Sequence, residues 1–274
     1  MHSSNMMLNP LKSKHIEKIP TLKASKITLN LEDAIAPSRK KEALLNIAKI
    51  LQDPNTPKDK IIVRVNPLNE GGKEEIEFLN KFNFNAIRLS KPTSKAQIKE
   101  ALNLIKSSIE LHISLETKEA FYNIRDWKID KRFTTANLGI LDLLNSLNLP
   151  QSLLQINNPT IDYILSKFLL DCKSVNLLPV SFMYQEYNNL EEFTKWCEKE
   201  KLMGFNAKAC MGPKQVEIAN KIFGKSKEEI KRAKEIKKAF EANSAKGENG
   251  FMHPEYGFID EPIYKDALLI LEEI

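Results

Sequence analysis

Several features are scarce in this chain of 274 residues. It has three cysteines, Cys172, Cys197 and Cys210. An odd count with no close pair argues against a disulfide framework and against a Cys-x2-Cys metal site, and fits a reducing compartment. Nine glycines form neither a G-x-G-x-x-G fingerprint nor a P-loop, so the phosphate-cradling turns of nucleotide folds are missing. Four histidines, His2, His15, His112 and His253, show no ligand spacing. No apolar run approaches the ~20 residues needed to span a bilayer. The opening residues, Met1-His2-Ser3-Ser4-Asn5, lack a basic stretch followed by a long apolar one; no signal peptide is expected, and a cytoplasmic location is. The net charge of +5 is a mild excess that suits a small anionic substrate and gives no reason to expect nucleic acid or membrane as a partner.

What is present is alternation. Short apolar runs recur at Met6–Leu8, Ile27–Leu31, Ile61–Val65, Ala86–Leu89, Leu111–Leu115, Ala136–Leu138, Leu178–Met183 and Phe205–Ala207. Runs of this length and composition predict buried parallel strands. Amphipathic stretches lie between them. Ser38–Leu51 places Ala43, Leu44, Ile47, Ala48 and Leu51 at helical spacing, and Ser94–Ile105 does the same with Ile98, Ala101, Leu102 and Ile105 behind Ser94 as N-cap. Leu190–Lys199 and Pro213–Phe223 read likewise, the second with proline at a helix start. About eight strand–helix repeats predict an α/β fold, a (β/α)8 TIM barrel over residues 1–224, with an open doubly wound sheet as the alternative. Residues 225–274 are surplus to that barrel: a charged helix at Ser226–Ala242, a Gly/Ser/Asn-rich hinge at Asn243–Gly250, the segment Phe251–Asp260, and an amphipathic helix at Pro262–Ile274.

In such a barrel, side chains at the C-terminal ends of strands line the active site. The charged residues where apolar runs stop are Glu32 and Asp33, Lys91, Glu116, Asp142 and Lys208, with Arg64 inside Ile61-Ile-Val-Arg-Val65. Carboxylates beside an arginine suit a hard divalent cation that grips a keto-acid or carboxylate ligand. Each also has a plainer reading. Arg64 in an apolar run is either functional or a structural ion pair with Glu32 or Asp33. Glu116 and Asp142 are metal ligands or carboxylates stabilising helix N-termini. His112 reads as a packed or edge residue, and Cys210 as a small buried hydrophobe.

Seven motifs, in order from about residue 26 to the end, resemble the citrate lyase β-subunit-like branch of the HpcH/HpaI aldolases. Leu31-Glu32-Asp33-Ala34-Ile35-Ala36-Pro37, with Lys40 beyond it, is similar to that family's Leu-Glu-Asp-Ala-Val-Ala-Pro turn. The others are Arg64-Val65-Asn66, Leu89-Ser90-Lys91, Leu115-Glu116-Thr117, Gly139-Ile140-Leu141-Asp142, the stretch from Gly204 through Lys208, Cys210 and Pro213 to Gln215, and Gly257-Phe258-Ile259-Asp260-Glu261-Pro262. The resemblance implies a Mg²⁺-dependent carbon–carbon lyase. It would cleave a citryl-, malyl- or citramalyl-CoA type thioester to an acyl-CoA and a 2-keto acid. It implies Mg²⁺ on Glu116 and Asp142, Arg64 on the substrate carboxylate, and Glu32 and Asp33 in support. It also implies a homotrimer or hexamer in which residues 225–274 pack on a neighbouring subunit and bring it Asp260 as acid/base.

The chain departs from the family pattern at Asn30 (family Asp), Leu44 (Arg), Lys118-Glu119-Ala120 (Ala-Arg-Gly), Leu141 (Glu) and Gly212 (His). These departures bear on substrate and CoA recognition more than on the metal. The alternatives are work as a subunit of a citrate lyase complex, a malyl-CoA-type thioesterase, or an inactive barrel acting as a scaffold.

Overall fold

The structure is a computed structural model and describes residues 3–271. His2 and the expected helix's last positions, 272–274, lie outside the described residues. Eight parallel strands follow one another: β1 (Ser4–Leu8), β2 (Lys26–Asn30), β3 (Ile61–Val65), β4 (Ala86–Leu89), β5 (Glu110–Leu115), β6 (Phe133–Leu138), β7 (Leu178–Val180) and β8 (Lys208–Cys210). Each pairs with its neighbour in sequence, and β1 pairs with β8. A single parallel bridge, Ser181 to Lys208, joins β7 to β8 and closes the ring. This is a (β/α)8 barrel; an open doubly wound sheet does not close on itself.

Helices fill the connections: α1 (Ser13–Ile16), α2 (Lys40–Gln52), α3 (Gly72–Leu79), α4 (Lys95–Leu104), α5 (Lys118–Trp127), α6 (Ile140–Ser146), α7 (Pro159–Ser174), α8 (Leu190–Met203) and α9 (Pro213–Phe223). Side-chain oxygens start several of them. Ser94 accepts from Gln97 N at the head of α4, and Thr117 from Ala120 N at the head of α5. Each cap satisfies a donor that the first helical turn leaves without a partner.

The strands are buried on both faces, and the alternation of a strand sorts their side chains. Ile61, Val63 and Val65 of β3, Ile87 and Leu89 of β4, and Leu111, Ile113 and Leu115 of β5 belong to the apolar core shared with the helices. The intervening positions bring buried polar groups inward. Asn5 donates to Asn137 Oδ1 (3.2 Å) and accepts from Thr28 Oγ1 (2.8 Å). These bonds satisfy polar atoms that burial would otherwise penalise.

Beyond shifted bounds in β1, β2, β5 and β6, two expected strands differ in substance. β7 ends at Val180 rather than Met183. β8 starts at Lys208, just past the expected strand Phe205–Ala207. The apolar run is the approach to the strand, and the strand itself opens on a buried charge that a hydrophobic pattern cannot register.

The chain divides into two compact units, Met1–Phe223 and Gly224–Ile274. The second contains α10 (Lys227–Ser244), the antiparallel pair β9 (Gly250–His253) and β10 (Gly257–Asp260), and α11 (Glu261–Leu271). Ser226 and Glu229 form a capping box at the start of α10. Ala233, Ile236, Phe240, Ile259 and Ala267 make this unit's own small core, with Phe240 stacked on Tyr264 at 4.4 Å. The hinge read at Asn243–Gly250 is shorter than expected, because α10 runs on through Ser244. No helix of the described residues is long and apolar enough to cross a membrane.

Candidate active site

Arg64 is the centre of the site. It occupies the fourth position of β3, and its side chain is 5% exposed. Nε donates to Ser90 Oγ (3.1 Å). Nη2 meets Glu32 Oε2 (2.7 Å), Glu116 Oε1 (2.9 Å) and Asp33 Oδ2 (3.3 Å). Lys91, just past β4, adds a second cation, 2.7 Å from Glu32 Oε1 and 3.4 Å from Asp33 Oδ1. Lys91 and Ala34 both take positive φ (48° and 65°), the left-handed region that costs a side chain energy, and both flank this network.

Charge and burial set the protonation of the group. Burial pushes the Glu32 carboxyl above its ordinary value, assisted by its hydrogen bond with Asp33 and opposed by Arg64 and Lys91. Burial also pushes Asp33 up, but Glu32, Arg64 and Lys91 outweigh it and hold that carboxyl low. Arg64 loses stabilisation to burial and regains more from Glu116, Glu32 and Asp33, so it stays firmly charged.

Glu116 follows β5 and is buried. Its Oε1 is taken by Arg64, whereas its Oε2 is buried with no hydrogen-bond partner. Gly139, at the end of β6, makes room for it: a Cβ there would lie 2.2 Å from Glu116 Cγ. Asp142, in the first turn of α6, lines the same cavity as Arg64, Glu116 and Gly139. That cavity has a volume of about 390 Å³, and Asn30, Asp33, Arg88, Asn137, Met183 and Gln185 also line it.

The structure therefore brings Glu32, Asp33, Arg64 and Glu116 into one ion-pair network and puts Asp142 on the wall of the cavity beside them. Asp260 lies in the second unit at the end of β10. There its Oδ1 accepts from Ile263 N (3.3 Å) and caps α11. Lys40 donates to Asn66 Oδ1, and Asn66 is held in turn by Glu75, so these two motif residues brace the backbone after β3.

Lys208 corrects an expectation. It does not follow the last strand at the rim; it opens β8, fully buried, 2.6 Å from Glu200 Oε1 and 3.6 Å from the centre of the Phe182 ring. It is a structural cation between β8 and α8. Cys210 is buried as a small hydrophobe, and burial pushes its thiol well up, away from reactivity. His112 is buried and bonded to Glu110.

The residue that sequence reasoning passed over is Arg88. It sits in Ala86-Ile87-Arg88-Leu89 as Arg64 sits in its own apolar run, and that shared pattern was the available signal.

The donor set admits a hard divalent cation. Among the described residues no group of three His, Cys, Asp or Glu is gathered to enclose a metal. Two carboxylates are offered instead, one with a buried oxygen that has no donor. Such an atom is costly unless a cation joins it, and Mg²⁺ binds through one or two carboxylates while keeping several waters.

Carboxylates, arginines and a lysine gathered where the strands of a closed parallel barrel end define an enzyme of the (β/α)8 class. Residues 4–213 match the profile of the HpcH/HpaI aldolase/citrate lyase family, and the chain belongs to that family. It is thereby an enzyme of the carbon–carbon lyase kind. The (3S)-malyl-CoA thioesterase of Cereibacter sphaeroides is 29% identical over 238 residues, 86% of this chain and 82% of the relative. Citrate lyase subunit beta of Haemophilus influenzae is 25% identical over 262 residues, 91% of this chain and 89% of the relative. The protein CitE of Mycobacterium tuberculosis, crystallised with magnesium, acetoacetate and coenzyme A, shares the fold at a TM-score of 0.75 and 18% identity, over 99% of this chain and 97% of that one.

Proposed function

We propose that this chain is a Mg²⁺-dependent lyase that cleaves a carboxylated 3-hydroxyacyl-CoA thioester to an acyl-CoA and a 2-keto acid. The observation that carries the reading is the divided role of Glu116, which lines the cavity that Asp142 shares: one oxygen is fixed by Arg64 and the other is buried without a partner. Glu116 and Asp142 would hold the ion. Bound Mg²⁺ supplies Lewis acidity at the keto oxygen and a template for the keto acid.

The chain's own groups do the rest. Arg64 keeps Glu116 in place and presents positive charge to the substrate carboxylate, while Glu32 and Asp33, themselves held by Lys91, keep Arg64 in place. In the reaction the bond between C2 and C3 breaks. The 3-hydroxyl gives up its proton as the ketone forms, and the electron pair leaves on the thioester enolate. That enolate takes a proton at carbon to become the acyl-CoA. Asp260, delivered by the second unit of a neighbouring subunit in a homotrimer or hexamer, is the proposed proton carrier. Such an assembly in the cytoplasm, alone or within a citrate lyase complex, completes the proposal.

The test is a product assay with Mg²⁺ and malyl-, citramalyl- and citryl-CoA. Release of a keto acid with an acyl-CoA is the expected result, and Glu116→Ala and Asp142→Ala should lose both turnover and Mg²⁺ binding. The second reading is thioester hydrolysis, favoured by the thioesterase relative. It predicts free CoA and a hydroxy acid, with no keto acid. Mg²⁺ binding without either product would identify a scaffold barrel.

A further inference from the structure

Two arginines face the cavity, and only one of them is engaged. Arg64 and Arg88 are register partners on β3 and β4. Each anchors its Nε on a serine from the next element of the barrel: Arg64 on Ser90 just past β4 (3.1 Å), Arg88 on Ser114 within β5 (2.7 Å). Beyond that anchor they differ. A guanidinium grips a carboxylate with two hydrogen bonds either side-on, through Nε and Nη2, or end-on, through Nη1 and Nη2. Arg64 has spent Nε on Ser90 and Nη2 on three carboxylates, so neither two-bonded face remains. Arg88 has spent Nε alone. Neither of its Nη groups has a partner among the described residues, and its end-on face is open.

Arg88 is also 5% exposed, and what exposure it has is to the cavity it lines. A buried guanidinium without an anion is an expensive arrangement. Burial, followed by the charge of Arg64, pulls its pKa down to about 9 against the more distant charges of Glu116 and Glu32, which leaves it charged at neutral pH with no carboxylate in direct contact. Glu32, Asp33 and Glu116 are all committed to Arg64. The missing anion has to arrive with the ligand.

We propose that Arg88 is a substrate-binding residue whose end-on face grips a carboxylate of the substrate other than the one at the metal. A carboxylate held at the metal has its charge met there; Arg88 requires another. The ligand that fits is a keto acid with a second carboxylate. Joined to the lyase reading above, on which this last step rests, Arg88 selects the thioester whose keto-acid product is a dicarboxylate.

The experiment is calorimetric titration of the full chain with oxaloacetate and, separately, pyruvate, both with Mg²⁺ present. The parent should prefer oxaloacetate by roughly 10- to 100-fold, the worth of a charged bidentate pair. Arg88→Met and Arg88→Lys should each bind both ligands at the pyruvate level, because an ammonium keeps the charge and loses the two-pronged geometry. Mg²⁺ affinity should not change. Ser114→Ala leaves Arg88 in place but unanchored and should reduce the preference without abolishing it, which covers the case in which a variant at position 88 fails to fold. A parent with no preference, or an Arg88→Met protein that keeps it, overturns the proposal. An equal loss for both ligands also overturns it, by placing Arg88 on the shared carboxylate. Binding does not require turnover. A failed lyase reading would show instead as a normal oxaloacetate preference with no keto acid released in the product assay.

Discussion

Gly139→Ala is the smallest change that tests the site. Gly139 has a negative φ of −96°, so alanine meets no left-handed penalty there. What it meets is Glu116. The new Cβ would stand 2.2 Å from Glu116 Cγ and 2.7 Å from Oε1, where carbon atoms ordinarily approach to ~3.5–4.0 Å. Glu116 is not a loose surface side chain that can swing aside. It is 4% exposed and tied to Arg64 at 2.9 Å. Overpacking a buried position costs about 1–3 kcal/mol. A charge-assisted bond lost by Arg64 is worth about 1.5–3 kcal/mol. Since relief of the clash breaks that bond, a loss of about 2.5–6 kcal/mol is expected, read as a lower urea midpoint. Displacing Glu116 also moves one of the two proposed ligands, so Mg²⁺ affinity measured by calorimetry should fall at least about tenfold, as losses of ligand support commonly do. Parent-like stability and parent-like Mg²⁺ binding together would refute the geometry. Lowered stability with full Mg²⁺ affinity would show that Glu116 is braced by Gly139 but does not hold the ion.

Three other outcomes are expected. Asp260→Asn and Arg64→Ala proteins, each inactive alone, should regain partial activity when co-assembled if Asp260 serves the neighbouring subunit; verified mixed oligomers without recovery would leave Asp260 with its helix-capping bond alone. Lys208→Met should lower the stability measured by urea unfolding by about 3–5 kcal/mol, because it strands the Glu200 charge in the interior, whereas Lys208→Met with Glu200→Leu should return near the parent. A double variant as unstable as the single one would contradict the pair. Burial holds the His112 imidazole below its ordinary 6.5 despite the opposing Glu110 carboxylate, so the unfolded chain takes up that proton first. Its contribution is complete above pH 6.5 and is lost as pH falls from there to the lower folded-state value; His112→Gln should show a shallower decline of the urea midpoint between pH 7.5 and mildly acidic conditions.

The barrel was legible because its strands are short apolar runs between amphipathic helices, and that grammar survives where tertiary detail is unknown. It failed where the interior is polar. β8 opens on Lys208, whose partner Glu200 lies a helix away, and nothing local marks a buried lysine as satisfied. The hairpin β9–β10 was not drawn from its segment, since Gly250–His253 alternates exposed and half-exposed positions and offers no apolar stripe. Arg64 was visible as an arginine in a place where only a paired or functional one survives. Its actual partners, three carboxylates on one nitrogen and a serine on another, were not visible, nor was the consequence that neither of its two-bonded faces is open. That consequence comes from distances, and it singles out the residue beside it, Arg88, as the arginine with a two-bonded face still open.

β8 has one further bearing, on how the molecule comes together. The strand is three residues long; it pairs with Ser4, Asn5 and Met6 on one side and touches Ser181 alone on the other. From β1 to β7 each strand can add beside the one made just before it. β8 must find the first strand across nearly the whole barrel sequence, and contacts between such distant segments bear their loop-closure cost before they return anything. It is therefore the piece expected to dock late and to open early. Ala209 on that strand and Met211 just beyond it line the cavity. A barrel with seven strands in place is nearly folded, but its cavity lacks the wall that Ala209 and Met211 supply until the eighth arrives.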